Sequence, residues 1–251
     1  MSQWRIAGFG VLASALLYVA ATSGPKSTQA TSPKPPVSKP QPKPARPREA
    51  APAESRITLG GPTGPDGKTE VACDLPVSER LKNTGGMGRG GPGTGAGLCV
   101  FTSMEHAGRW QNVADLRGLQ AKMTHEEGGG YPEKVDRMLK KYAPGIGYVQ
   151  YEGNDPSLLA TAIRSGRMPG VTYNGHDPHY GGTISHMVNL VAYDEQAGLA
   201  CVLDNNFIGA NELVWLDIPS FLERWRGGHM GWCVIFTKGP PPPVPHNGGK
   251  P

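Results

Sequence analysis

Phosphate chemistry has no foothold in this chain. The glycine-rich run at residues 85–97 is followed by no phosphate-loop lysine, which removes nucleoside triphosphates as ligands. Gly86, Gly88 and Gly91 do satisfy the spacing of a dinucleotide fingerprint, but no strand leads straight into them and no ribose-binding acid follows, so the match is accidental. Basic charge is missing where a nucleic acid would need it. Seven Lys and Arg against two acids precede Arg56, whereas eighteen face nineteen from Arg56 onward. Such a near-neutral remainder lacks the positive face that phosphate backbones require, and no nucleic-acid partner is expected. Metal ligands are poorly supplied as well. His176, Asp177, His179 and His186 cluster, but in no standard zinc spacing, and Gly175, Pro178, Gly181 and Gly182 mark residues 174–182 as a loop bordering a cleft. Neither a metal nor another cofactor is expected.

Long apolar runs are limited to one. Residues 6–21 follow Arg5 and lead to the small residues Ala20, Ala21 and Ser23, so residues 1–23 read as a signal peptide or an N-terminal membrane anchor. Lys26, Lys34 and Lys39 behind the run pull toward a cytoplasmic flank. The spacer that follows suits instead a tether holding a domain off a membrane, and an exported or membrane-tethered protein, periplasmic or extracellular, is the expectation. Residues 24–55 are dominated by Pro, Lys, Ala and Ser and cannot bury enough apolar surface to offset chain entropy. Residues 24–65 are therefore expected to form a disordered, partly polyproline-like linker, whose charge could touch anionic lipid or wall polymer. A second Pro-rich disordered segment is expected at residues 239–251. That leaves residues 66–238 for one domain with a real core, read as a monomer.

Cysteine is scarce, with four in 251 residues. One of them, Cys99, sits where leucine, phenylalanine and methionine recur at helical spacing (Leu98, Phe101, Met104, Ala107), immediately behind the glycines. That spacing puts Cys99 in a first helical turn, where unpaired amides and the positive end of the helix dipole favour an anion and lower a thiol's pKa. Downstream, residues 184–194 and 199–204 read as two strands joined by a turn at residues 195–198. Side chains of one parity share a face, so His186 near the start of one strand and Asp204 at the end of the other fall roughly opposite each other. An acid there could hold the ring and fix its tautomer. Thiol, imidazole and acid in this order are the layout of a cysteine nucleophile with its base and orienting partner. Taken singly each has a structural reading: a buried thiol, a satisfied strand histidine, a turn aspartate. With Cys99 set aside, Cys73, Cys201 and Cys233 are an odd remainder. Cys201 and Cys233 would bridge only if their strands were adjacent, and buried free thiols are the simpler expectation.

These residues carry a resemblance. CDLPVSERLKNTGG, a glycine-rich insertion and AGLCVFTS, within residues 73–103, look like the papain-type pattern of a strand, a turn and a Cys-led helix. Residues 166–236 resemble more closely the bacterial papain-like peptidases related to the bacteriocin-processing enzymes: a strand entry at residues 166–171 (Gly166-Arg167-Met168-Pro169) like that family's G-x-P, a His-led strand ending in Tyr193 and Asp194, and an acid, Asp204, closing the next strand. The resemblance implies Cys99 as nucleophile, His186 as base and Asp204 as orienter, with Asn205 a rival for the third role. The family places a glutamine shortly before the cysteine to bind the developing oxyanion, and none lies between Thr84 and Cys99. Asn83 or Thr84 then supplies that donor, or the Cys99 amide acts with another group, or the site is impaired.

Helical spacing at residues 131–142, 155–165 and 217–225, with strand-like segments at 148–151, 170–173 and 232–237, completes an α+β pattern. A helical half bearing Cys99 would pack on an antiparallel half bearing His186 and Asp204. The functional expectation is a cysteine hydrolase cleaving a peptide or related amide bond through a thioacyl intermediate, acting on a peptide or protein substrate. A cell-wall amidase or transpeptidase with the same chemistry, or an inactive papain-like binding domain, are the alternatives.

Overall fold

The alternation of small, branched and aromatic residues in the second half of the chain builds one antiparallel sheet, against which the earlier helices pack. The computed structural model describes residues 3–6, 57–227 and 230–239. Its strands are β1 (Gln3–Ile6), β2 (Ile57–Gly60), β3 (Tyr148–Gly153), β4 (Gly170–Asp177), β5 (Gly182–Asp194), β6 (Leu199–Leu203), β7 (Leu213–Asp217) and β8 (Gly231–Phe236). Every pair is antiparallel, in the order β1-β3-β8-β4-β5-β6-β7-β2. The helices are α1 (Cys99–Trp110), α2 (Leu119–Met123), α3 (Pro132–Tyr142), α4 (Ser157–Arg164) and α5 (Ile218–Arg226). The α+β expectation stands.

β5 is the spine. Its outer half alternates in burial, but His186 to Tyr193 are buried without a break, as happens when a strand is covered on both faces. α1 and α4 pack on it. α1 is buried from Val100 to Gly108 without interruption, so its polar residues need internal partners. Glu105 has them: its carboxylate accepts from the amides of Gly118 (2.9 Å) and Gln120 (2.8 Å) and from both Nε and Nη2 of Arg109. A carboxylate this well supplied anchors the segment after α1, and removing one partner of such a buried pair typically costs about 3–5 kcal/mol. α5 shows ordinary punctuation: Asp217 accepts from the Ser220 amide at 2.8 Å, and Gly227 closes the helix at φ 54°.

Several boundaries differ from the sequence expectation. Within the segment expected as linker, Ile57–Gly60 are described as β2, which adds to the edge of β7, itself unforeseen. Residues 174–177, read as loop, continue β4: each pairs with β5, and only residues 178–181 remain as the turn. Glycine and asparagine there signalled a break, but ladder pairing outweighs weak local preference. The residues ahead of the glycine run form no strand; they hold a single 3-10 turn, Val77–Glu79. All four thiols are free, and β4 and β5 separate β6 from β8, so Cys201 and Cys233 have no route to a bridge. Gln3–Ile6, inside the expected leader, pair with β3. The rest of that leader, the linker up to residue 56 and the tail from residue 240 lie outside the described residues. Among the described residues no helix is long and apolar enough to cross a membrane.

Candidate active site

Cys99 is the first residue of α1, as the spacing predicted, and is half-buried. Nothing in its own turn caps the helix by side chain. Instead the Leu98 amide donates to the Thr84 carbonyl (2.8 Å) and to Oδ1 of Asn83 (2.9 Å), pinning the residue before the thiol to the far side of the glycine run.

Between those anchors the glycine run closes on itself. Gly85 and Gly97 form an antiparallel bridge, Gly86 donates to Ala96, and Gly93 and Gly95 both donate to the Gly86 carbonyl. The glycine run is therefore an ordered, backbone-packed loop. Glycine serves close approach here rather than freedom: a β-carbon on Gly86 would lie 2.5 Å from the Glu126 carbonyl oxygen. The insertion separates Asn83 from Cys99 in sequence but not in space.

His186 reaches Asp204 through a defect in the hairpin. β5 and β6 pair from Asp194–Leu199 to Asn189–Leu203, with a register shift between Leu190 and Ala192. Val191 is the extra residue, and its carbonyl accepts from the amides of Ala72 (2.8 Å) and Cys73 (3.2 Å). One extra residue reverses the parity of everything beyond it. Counted from the turn without the bulge, Asp204 would oppose Asn189 and face away from His186. With the bulge, the next step of the register sets Asp204 against Val188, which shares a face with His186.

The contacts follow from that placement. Nε2 of His186 lies 3.0 Å from Oδ1 of Asp204, both side chains being nearly inaccessible. The Cys99 thiol lies close enough to the same ring for each to shift the other's pKa, and with Nε2 held by the acid, Nδ1 is the nitrogen left to face sulfur. Burial pushes the Cys99 thiol up, but the hydrogen bond and charge of His186, with the Met187 and Val100 amides, outweigh it and leave the pKa lowered. Burial likewise works against charge on His186, yet Asp204 and then Cys99 raise it to about 9. Asp204, pushed up by burial, is held below its usual range by His186, Tyr180 and the Asn206 amide. The three shifts agree on one state, thiolate, imidazolium and carboxylate together.

Asn205, the rival third member, has another task. Its Nδ2 faces Ser103 Oγ (3.0 Å) and the carbonyls of Met187 (2.9 Å) and Cys99 (3.2 Å), tying the first turn of α1 to β5. Its own carbonyl accepts from the Asn83 amide at 2.6 Å. Of the two oxyanion candidates, Thr84 is exposed and lends its backbone carbonyl to Leu98, while Asn83 is fixed. Because the Leu98 amide requires an oxygen, Oδ1 of Asn83 points to it and Nδ2 is directed away. That Nδ2 has no acceptor among the described residues. The Cys99 amide, in the first helical turn, has no intrahelical acceptor either.

Sequence reasoning missed Tyr180 and Asn206, which surround Asp204, because nothing in their spacing links them to an acid more than twenty residues away or two residues back. The cluster around residue 177 turns inward: Asp177 accepts from the Tyr173 hydroxyl (2.9 Å) and the His179 amide (2.8 Å) and pairs with Arg224. Among the described residues no three His, Cys, Asp or Glu converge to hold a metal ion. Neither a known family model nor a curated protein matches the chain.

Proposed function

We propose that this chain is a papain-like cysteine hydrolase that cleaves a peptide or related amide bond, carried on an exported or membrane-tethered protein. The observation that supports it is that His186 on β5 is held at 3.0 Å by Asp204, just past the end of β6, while exchanging pKa influence with Cys99 on a helix start. In this reading the Cys99 thiolate attacks the substrate carbonyl carbon, and the developing oxyanion is received by Nδ2 of Asn83 and the Cys99 amide. His186 then gives its proton to the leaving amine as the C–N bond breaks, leaving a thioacyl group on sulfur. A water, deprotonated by His186, attacks that thioester; the C–S bond breaks, the acid leaves and the ion pair returns.

Alkylation with iodoacetamide near neutral pH tests the reading without a known substrate. Cys73 and Cys233 are buried and pushed up to about 12, and burial also raises Cys201 well above its usual value, so Cys99 should label first in any case. The deciding measurement is His186→Ala. It should remove most of the excess rate at Cys99, by about a hundredfold; an unchanged rate in a folded variant overturns the hydrolase and leaves a binding domain. Digesting purified peptidoglycan and a mixed peptide library in parallel, wild type against Cys99→Ala, then separates a peptidase from a wall amidase or transpeptidase.

A further inference from the structure

The turn between β4 and β5 reaches over the acid of the site. Tyr180 on that turn donates its hydroxyl hydrogen to Oδ2 of Asp204 at 2.6 Å and accepts from Nδ2 of Asn206 at 2.9 Å. The same Asn206 nitrogen lies 3.4 Å from Nε2 of His186. The Tyr180 ring stands edge-on to His186 (6.1 Å between centroids) and to Phe207 (5.2 Å). The turn is fixed from below by Asp177, which holds the His179 amide and the Tyr173 hydroxyl and pairs with Arg224 of α5.

Asp204 is thus a buried carboxylate with its donors divided. Oδ1 receives His186 and the Asn206 amide (2.8 Å), and Oδ2 receives Tyr180. We propose that Tyr180 is a positioning residue of this site, acting through Asp204: by taking Oδ2 it fixes the plane of the carboxylate, leaves Oδ1 for the imidazole, and keeps the acid ionised. The inference rests on the hydrolase reading. A buried carboxylate without a donor on one oxygen protonates more readily, and protonated or rotated it no longer holds the ring. The titratable and charged groups that face Asp204 are His186 on β5, Cys99 beyond it on α1, Tyr180 on the turn, and Tyr173 and Asp177 on β4, with Arg224 behind Asp177. Of these only Tyr180 and His186 hydrogen-bond the carboxylate by side chain.

Tyr180→Phe keeps the ring and its two edge contacts and removes only the hydroxyl. The rate of Cys99 alkylation by iodoacetamide, followed from neutral into acid pH, should show the acid limb about one pH unit higher than wild type and a plateau about three- to tenfold lower. Phe207→Leu serves as the packing control, since it removes a ring beside Tyr180 and leaves the hydroxyl in place; thermal stability should fall while the acid limb stays put. A folded Tyr180→Phe whose profile superposes on wild type overturns the proposal, as does a Phe207→Leu limb that moves equally. A wild-type protein without a His186-dependent excess rate overturns the hydrolase reading itself, and this role of Tyr180 with it.

Discussion

His106 on α1 and His186 on β5 are both buried, at 0 % and 8 % exposure, and hold their protons in opposite senses. His106 has only neutral partners: its Nε2 accepts from the Leu81 amide at 2.7 Å, which leaves Nδ1–H to donate to Oδ1 of Asn189 at 3.1 Å. Burial dominates there and pushes the ring down to about 4. His186 suffers the same burial but is flanked by a carboxylate and a thiol that ionises, and it rises to about 9. Depth in the core therefore does not decide whether a histidine is charged. The charge of what it touches does, since a low-dielectric surrounding strengthens an ionic partner as much as it penalises a lone ion.

The strongest way to break this contrast is to make the partner of His186 neutral. Asp204→Asn should bring the His186 titration, followed by NMR, from about 9 to below its ordinary value of 6.5 and cut Cys99 alkylation at neutral pH by about a hundredfold or more. A His186 that still titrates near 9 would mean that Asp204 is not the source of the shift.

Stability against pH should then separate the two rings by direction. A raised pKa contributes stability that is complete below 6.5 and lost as pH climbs through about 9, whereas a depressed one contributes stability present above 6.5 and lost as pH falls toward about 4. Thermal melts across pH should show an acid flank, worth about 3 kcal/mol, that belongs to His106, and, in a Cys99→Ala background where no thiolate offsets it, an alkaline flank that His186→Ala flattens. Flanks assigned the other way round would reverse the protonation states argued above.

The smallest effect sharpens the comparison from the structural side. His106→Gln should cost about 1–3 kcal/mol in denaturant unfolding, through the unsatisfied Leu81 amide and Asn189, while leaving His186-dependent labelling of Cys99 within about twofold of wild type. A loss of labelling comparable to that of His186→Ala would put His106 in the chemistry after all.

The sequence disclosed the start of α1 and the β5–β6 hairpin because both rest on local periodicity, and Cys99, His186 and Asp204 could be named from them. It could not disclose why His186 and Asp204 share a face. That depends on the bulge at Val191, whose carbonyl is claimed by Ala72 and Cys73 more than a hundred residues earlier in the chain. Tyr180 was hidden for the same reason, its partner being set by a turn folding over the sheet; Asn83 was named as an oxyanion candidate, but its hold on the Leu98 amide depends on a loop closing on itself. The packing of the glycine run was not legible either, because composition does not reveal whether a missing side chain makes room for motion or for another backbone.

The pinned ends of that glycine loop have a practical consequence. Leu98 is fastened to Asn83 and Thr84, and Gly85 to Gly97, so whatever length of chain hangs beyond those clasps is uncoupled from the thiol. Doubling such a loop costs only about 0.6 kcal/mol of closure entropy. The exposed tip around Arg89 is thus a natural splice point, where a reporter or an affinity handle could be grafted while the chemistry below keeps its alignment.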